Sequence, residues 1–170
     1  MSSIEDTYTK VTNAARPVLL SIAAILLAVI ATWIFHVFFS LFLSSFPELE
    51  SLKWGERAKA VEDYMKISPF AIYTVLFARA AGAIAGVYFV TRTNIFFDQK
   101  NKVERPQWIA PLIVLGFWIY YIFKTDMVEA PVGLEWTAID ILTAAVLAAI
   151  TYLYAGGRIK AKPSEEIYKG

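Results

Sequence analysis

Residues 17–46 read PVLLSIAAILLAVIATWIFHVFFSLFLSSF, thirty consecutive positions without an Asp, Glu, Lys or Arg. A helix needs only about 20 apolar residues to cross roughly 30 Å of hydrocarbon, so this stretch alone points to a membrane span. It is too long for the core of a signal peptide, has Glu5 and Asp6 in front of it, and shows no compelling small-residue cleavage site. A retained helix is therefore expected, with Pro17 at its start, where the missing N–H has no partner to lose.

Working outward, three more apolar segments follow. Residues 69–91 are interrupted by one charge, Arg79; residues 107–123 lie between Pro106 and Lys124; residues 136–155 are stopped by Gly156, Gly157 and Arg158. Between the first two spans, Trp54, Ala58, Val61 and Met65 of residues 53–68 fall on one helical stripe, which reads as a short amphipathic helix. The expected fold is a single membrane domain over residues 1–170, an all-α integral membrane protein. It is a four-transmembrane-helix bundle with that amphipathic helix on the extracytoplasmic side.

Composition agrees. Of 170 residues, 58% are hydrophobic and 18% charged, with a mean hydropathy of +0.52, against about 45–50% and about 25% in soluble domains. A net charge of +1 supplies no basic face for nucleic acid. The absence of Cys removes disulfides, thiol redox chemistry and Cys-ligated metals.

Orientation follows from Lys and Arg in the short loops. An N-terminus inside puts Lys10, Arg16, Arg92, Lys100, Lys102, Arg105, Arg158, Lys160, Lys162 and Lys169 on the cytoplasmic face. Lys53, Arg57, Lys59, Lys66 and Lys124 then lie outside, together with Asp126 and Glu129. Both termini are expected to be cytoplasmic, in a bacterial inner membrane, with the two basic clusters near anionic headgroups.

Within the spans the strongly polar side chains are His36, Arg79 and Asp140. Ionisable groups cost about 2.5–3.5 kcal/mol each at the centre of a membrane helix, so each is expected to face a partner, water or a ligand. Arg79 lies about 15 Å into the second span and Asp140 about 7 Å into the fourth, and helical side chains lean toward their own N-terminus. An Arg79–Asp140 ion pair is therefore geometrically accessible, as a packing clasp or as an ion or proton site. Ala78, Gly82 and Gly86, at spacing four, read as a helix-packing face.

No span carries a Lys for a Schiff base, one His cannot supply two haem ligands, and intramembrane HExxH and GxSxG motifs and a Gly-rich phosphate loop are all missing. No enzymatic activity, metal or cofactor is expected. The order of long first helix, short external helix, small-residue second helix and basic tail resembles small four-helix bacterial membrane families of the DoxX-like kind. That likeness is one of layout and implies no activity. The leading expectation is a non-enzymatic accessory or assembly subunit of a larger membrane complex, or a homo-oligomer held by the Ala78, Gly82 and Gly86 face. The alternative is a small transporter or channel for an ion, proton or small anion, using Arg79, Asp140 and His36.

Overall fold

Five α-helices and one wide helical turn make up the computed structural model, which describes residues 2–43, 46–101 and 106–157. The expected basic cluster at Arg158, Lys160 and Lys162, and Lys102 and Arg105 of the other cluster, lie outside the described residues. Helices α1 (Ser2–Ser40), α3 (Ala71–Asn101), α4 (Ile109–Lys124) and α5 (Leu134–Tyr154) are the long ones; α2 (Trp54–Ile67) is the short connector. Four helical segments are long and apolar enough to cross a membrane: Ala15–Ser40, Ala71–Lys100, Ile109–Glu129 and Leu134–Tyr154. The last of α4's turns continues as a π-helical stretch over Thr125–Glu129.

Two boundaries differ from the sequence reading for local reasons. Pro17 lies inside α1 and not at its start; a proline removes one backbone donor, and at the flank of a long helix the remaining bonds carry the chain through. Beyond Thr91, α3 runs on to Asn101, because Thr91, Asn94 and Asp98 recur at helical spacing and continue its buried face.

The core is made of small residues, and α3 is its axis. One cluster joins Ala24, Val87, Val90, Ala110, Val114 and Ala148; the next joins Ala28, Ala83, Trp118, Ile122 and Ala144. Outward faces are the reverse: Leu19, Leu26, Ile30 and Trp33 of α1 and Leu142, Val146 and Ile150 of α5 are all more than half exposed. Contiguous apolar surface of this kind is costly in water and ordinary against lipid tails.

Glycines bring α1 and α3 together. A Cβ at Gly82 would overlap Thr32 Oγ1 and stand 2.7 Å from both the Ala28 carbonyl oxygen and Trp118 Cζ2. At Gly86 it would stand 3.0 Å from Ala28 Cβ and 3.1 Å from the Ala24 carbonyl oxygen. The expected packing face is thus filled within the chain, by α1 on one side and α4 on the other. A homo-oligomer held by the same face would have to displace them.

Gly82→Ala is expected to destabilise the detergent-solubilised protein by about 1–3 kcal/mol, the usual range for overpacking a tight contact. Gly116→Ala, where nothing lies within 4 Å of the added carbon, should be neutral or stabilising, since Ala is the better helix former by about 1 kcal/mol. Thermal unfolding of the two variants in the same detergent separates them, and equal midpoints would contradict the packing described.

Candidate functional site

Arg79 sits eight residues into α3, about 12 Å along the helix, and is 5% exposed. Its turn is held from two sides. Thr32 Oγ1 of α1 donates to the Ala78 carbonyl at 3.3 Å, and Trp118 Nε1 of α4 donates to the Arg79 carbonyl at 3.1 Å. Trp118 is itself fully buried, so the guanidinium projects from a backbone that cannot easily rotate.

Arg79 Nη1 donates to Asp140 Oδ2 and also to Asp126 Oδ1, the latter at 2.6 Å. The guanidinium carbon lies 6.0 Å from the centre of the Tyr121 ring, within cation–π range. Asp140 belongs to the inward stripe of α5, with Thr137, Ala144, Ala148 and Thr151 at helical spacing. Both carboxyls are almost completely buried.

The burial of Asp126 corrects its placement among external loop residues. Lys124 suggests a span end, yet its ammonium points outward and pairs with Glu129 at 2.9 Å. Meanwhile the inward stripe Val114, Trp118, Ile122 and Asp126 continues past it at a spacing of four. A widened turn follows directly. Ala130 N–H donates to the Thr125 carbonyl at 2.8 Å, five residues back, and Thr125 Oγ1 donates to the Tyr121 carbonyl at 2.8 Å. Such π-turns recur at functional positions, where they re-aim side chains.

Beside the cluster is a cavity of about 660 Å³ whose walls include Trp33, His36, Tyr64, Arg79, Asp126 and Asp140. All three residues singled out from the sequence therefore border one space. His36 lies one turn beyond Thr32 on α1 and its side chain is exposed. Helix α2 closes part of the rim with Val61, Tyr64 and Met65, and Trp54 Nε1 ties it to the π-turn by donating to the Met127 carbonyl at 2.8 Å. Burial on α2 centres on Val61 and Tyr64, and Phe46 packs edge-on against Tyr64 at 5.0 Å.

The charges do not balance. One guanidinium faces two carboxyls, which leaves the cluster at −1 when both are ionised. Asp140 Oδ1 is buried and has no hydrogen-bond partner among the described residues. The positive charge of Arg79 is already matched twice, so the arrangement favours taking up a cation or proton over holding an anion.

A second buried ion pair occupies the opposite end of α3. Arg16 Nη2 of α1 donates to Asp98 Oδ1, with the Arg16 guanidinium 5.6 Å from the Phe97 ring centre. Thr91 and Asn94 are buried on the same face of α3. The sequence reading puts Arg16 in a solvated loop; the helical recurrence of Thr91, Asn94 and Asp98 is the signal that places a polar partner within its reach. Arg79 and Asp98 are 19 residues apart on one helix, about 28 Å at 1.5 Å per residue.

Comparison with known protein families, characterised proteins and solved structures finds no match for the chain.

Removing the cation should hurt more than removing either anion. Arg79→Gln leaves two uncompensated buried carboxyls and is expected to cost about 3–5 kcal/mol, whereas Asp126→Asn restores local neutrality and should cost far less. The triple variant combining Arg79→Gln, Asp126→Asn and Asp140→Asn neutralises the whole cluster and should recover part of the loss caused by Arg79→Gln alone. Denaturant unfolding in detergent tests this, and purely additive losses would show that the three groups do not act as a unit.

Proposed function

We propose that the chain is a small integral membrane carrier in which the Arg79, Asp126 and Asp140 cluster takes up one proton or one monovalent cation from the adjoining cavity. The observation that carries this reading is the charge imbalance on a cavity wall: a buried guanidinium with two carboxyls bonded to it. In a low-dielectric setting an uncompensated charge is costly, so the neutral form of the cluster contains one proton or cation more than its own side chains provide. Asp140 is the natural acceptor, because its Oδ1 is not engaged by Arg79.

Uptake at Asp140 has a mechanical consequence. Neutralising that carboxyl weakens its hold on Arg79 and leaves Asp126, at the end of α4, as the principal anion of the pair. The contact between α3 and α5 loosens while the contact between α3 and the π-turn persists. Occupancy of the site is thereby coupled to helix packing, which is what alternating exposure of an intramembrane site requires.

The excess of Lys and Arg on one side supports an orientation with both termini in the cytoplasm of a bacterial inner membrane. Helix α2 and the cavity rim then face outward. The absence of Cys makes the chain its own background for mapping. A cysteine at exposed Lys59 should react with a membrane-impermeant maleimide in intact cells, and one at exposed Lys100 only after permeabilisation; the reverse pattern would invert the orientation.

Transport itself is tested in proteoliposomes holding a pH-sensitive dye. Wild-type protein should dissipate an imposed proton gradient faster than protein-free vesicles, and Asp140→Asn, if still monodisperse, should lose at least tenfold of that rate. Vesicles no leakier than empty ones, both without added cation and with a monovalent inorganic or organic cation on the opposite side, would overturn the carrier reading. Stoichiometric co-purification of a membrane partner would then support the accessory-subunit reading instead.

A further inference from the structure

The cavity tells more about its occupant than the cluster alone does. Its volume of about 660 Å³ falls within the roughly 300–1,000 Å³ typical of sites for drug-sized organic molecules, and is far larger than a bare ion needs. Its walls are mostly apolar, with the aromatic rings of Trp33, Tyr64, Tyr121 and Trp136 among them. Among the described residues no group of three or more His, Cys, Asp or Glu side chains could hold a metal ion. A hard metal cation, which takes about six oxygen ligands, finds too few here.

From these features together we infer that the site binds a lipophilic organic monovalent cation, its charged centre at Asp140 and its apolar body against the aromatic walls. The inference rests on the carrier reading above and specifies its substrate class. Three properties of the cavity each contribute. The cluster lacks one positive charge, so the ligand carries one. Aromatic faces attract a cation through their quadrupoles, most strongly where water is excluded. The mostly apolar lining matches a ligand whose charge is shielded or delocalised, such as a tertiary or quaternary amine or a phosphonium, better than a strongly hydrated ammonium.

Charge conservation links this binding to protons. If Asp140 holds a proton when the cavity is empty, the cation enters as that proton leaves through the O–H bond of Asp140, and the cluster stays neutral throughout. No bond other than that O–H is broken, and no oxidant or co-reactant is needed.

Tetraphenylphosphonium and tetraphenylborate are suitable probes because they share a shape and differ in the sign of charge. Titrated against the purified protein in detergent, tetraphenylphosphonium should give saturable quenching of tryptophan fluorescence, since Trp33 and Trp136 border the cavity. In weak buffer each bound cation should release up to one proton. Asp140→Asn should weaken binding at least tenfold, and Asp140→Glu should restore much of it, which distinguishes loss of charge from loss of fold. Tetraphenylborate should not saturate the site.

Equal binding of the two probes, or binding indifferent to Asp140→Asn, would overturn the inference and mark the cavity as an unselective apolar cleft. Failure of tetraphenylphosphonium to bind, alongside Asp140-dependent proton flux in proteoliposomes, would refute the organic-cation class and leave the carrier reading standing. Failure of both measurements would remove the two together.

Discussion

A guanidinium buried among apolar helices has to be matched where it stands, and here Arg79 is matched twice. Asp140 brings α5 to it and Asp126 brings the end of α4, while Thr32 and Trp118 pin the carbonyls of its own turn from α1 and α4. Every long helix therefore meets at one turn of α3. Apolar packing alone would leave these helices free to choose among several registers, because Ala and Gly seams discriminate weakly along their length. A cluster of buried charges, each needing a partner at a set depth, discriminates among them more sharply. Within it, Asp140 Oδ1 is buried without a hydrogen-bond partner among the described residues.

The surroundings of that cluster are arranged in consequence. Asp126 reaches Arg79 because the helix does not stop at Lys124 but continues its inward stripe into the π-turn. The same turn is held from outside by Trp54, whose indole donates to the Met127 carbonyl. Helix α2 is therefore joined to one of the two carboxyls through a few residues, while Val61, Tyr64 and Met65 of the same helix border the cavity. Rim and charge share a support.

Much of this was legible in the sequence. The thirty uncharged residues of 17–46, and the spacing of apolar segments after them, identify helices able to cross a membrane, since hydrocarbon thickness and helical rise leave few alternatives. Arg79 and Asp140 stand out because charge is rare in such segments, and their depths allow them to meet. Asp126 does not stand out. An acidic residue two positions after a lysine resembles the start of a loop, and only its place on the stripe Val114, Trp118, Ile122 reveals it as inward. Arg16 and Asp98 are hidden for the same reason: each lies at the polar end of its membrane-spanning segment, where solvation is the simpler assumption. Periodicity, followed through a charge and not halted by it, carries the missing information in both cases. The cavity is different in kind, since a volume bordered by five helices and the π-turn is set by how they pack and has no local sequence signature.

The seam between α1 and α3 has one more consequence. Interlocked helices resist sliding because tall side chains on one sit between those of the other. Here Ala24, Ala28, Gly82, Ala83 and Gly86 leave two nearly smooth cylinders in contact, crossed by the hydrogen bond from Thr32 to the Ala78 carbonyl. Displacing one cylinder along the other requires that bond and the Arg16–Asp98 pair to yield and Phe77 to pass the rings of Phe35 and Phe39, so shear is easy only within the smooth stretch between them. The seam lies along the stretch between the two buried ion pairs, Arg79 with its carboxyls at one end and Arg16 with Asp98 at the other. In mechanical terms the seam is a short smooth track, stopped at one end by an ion pair and at the other by interleaved rings.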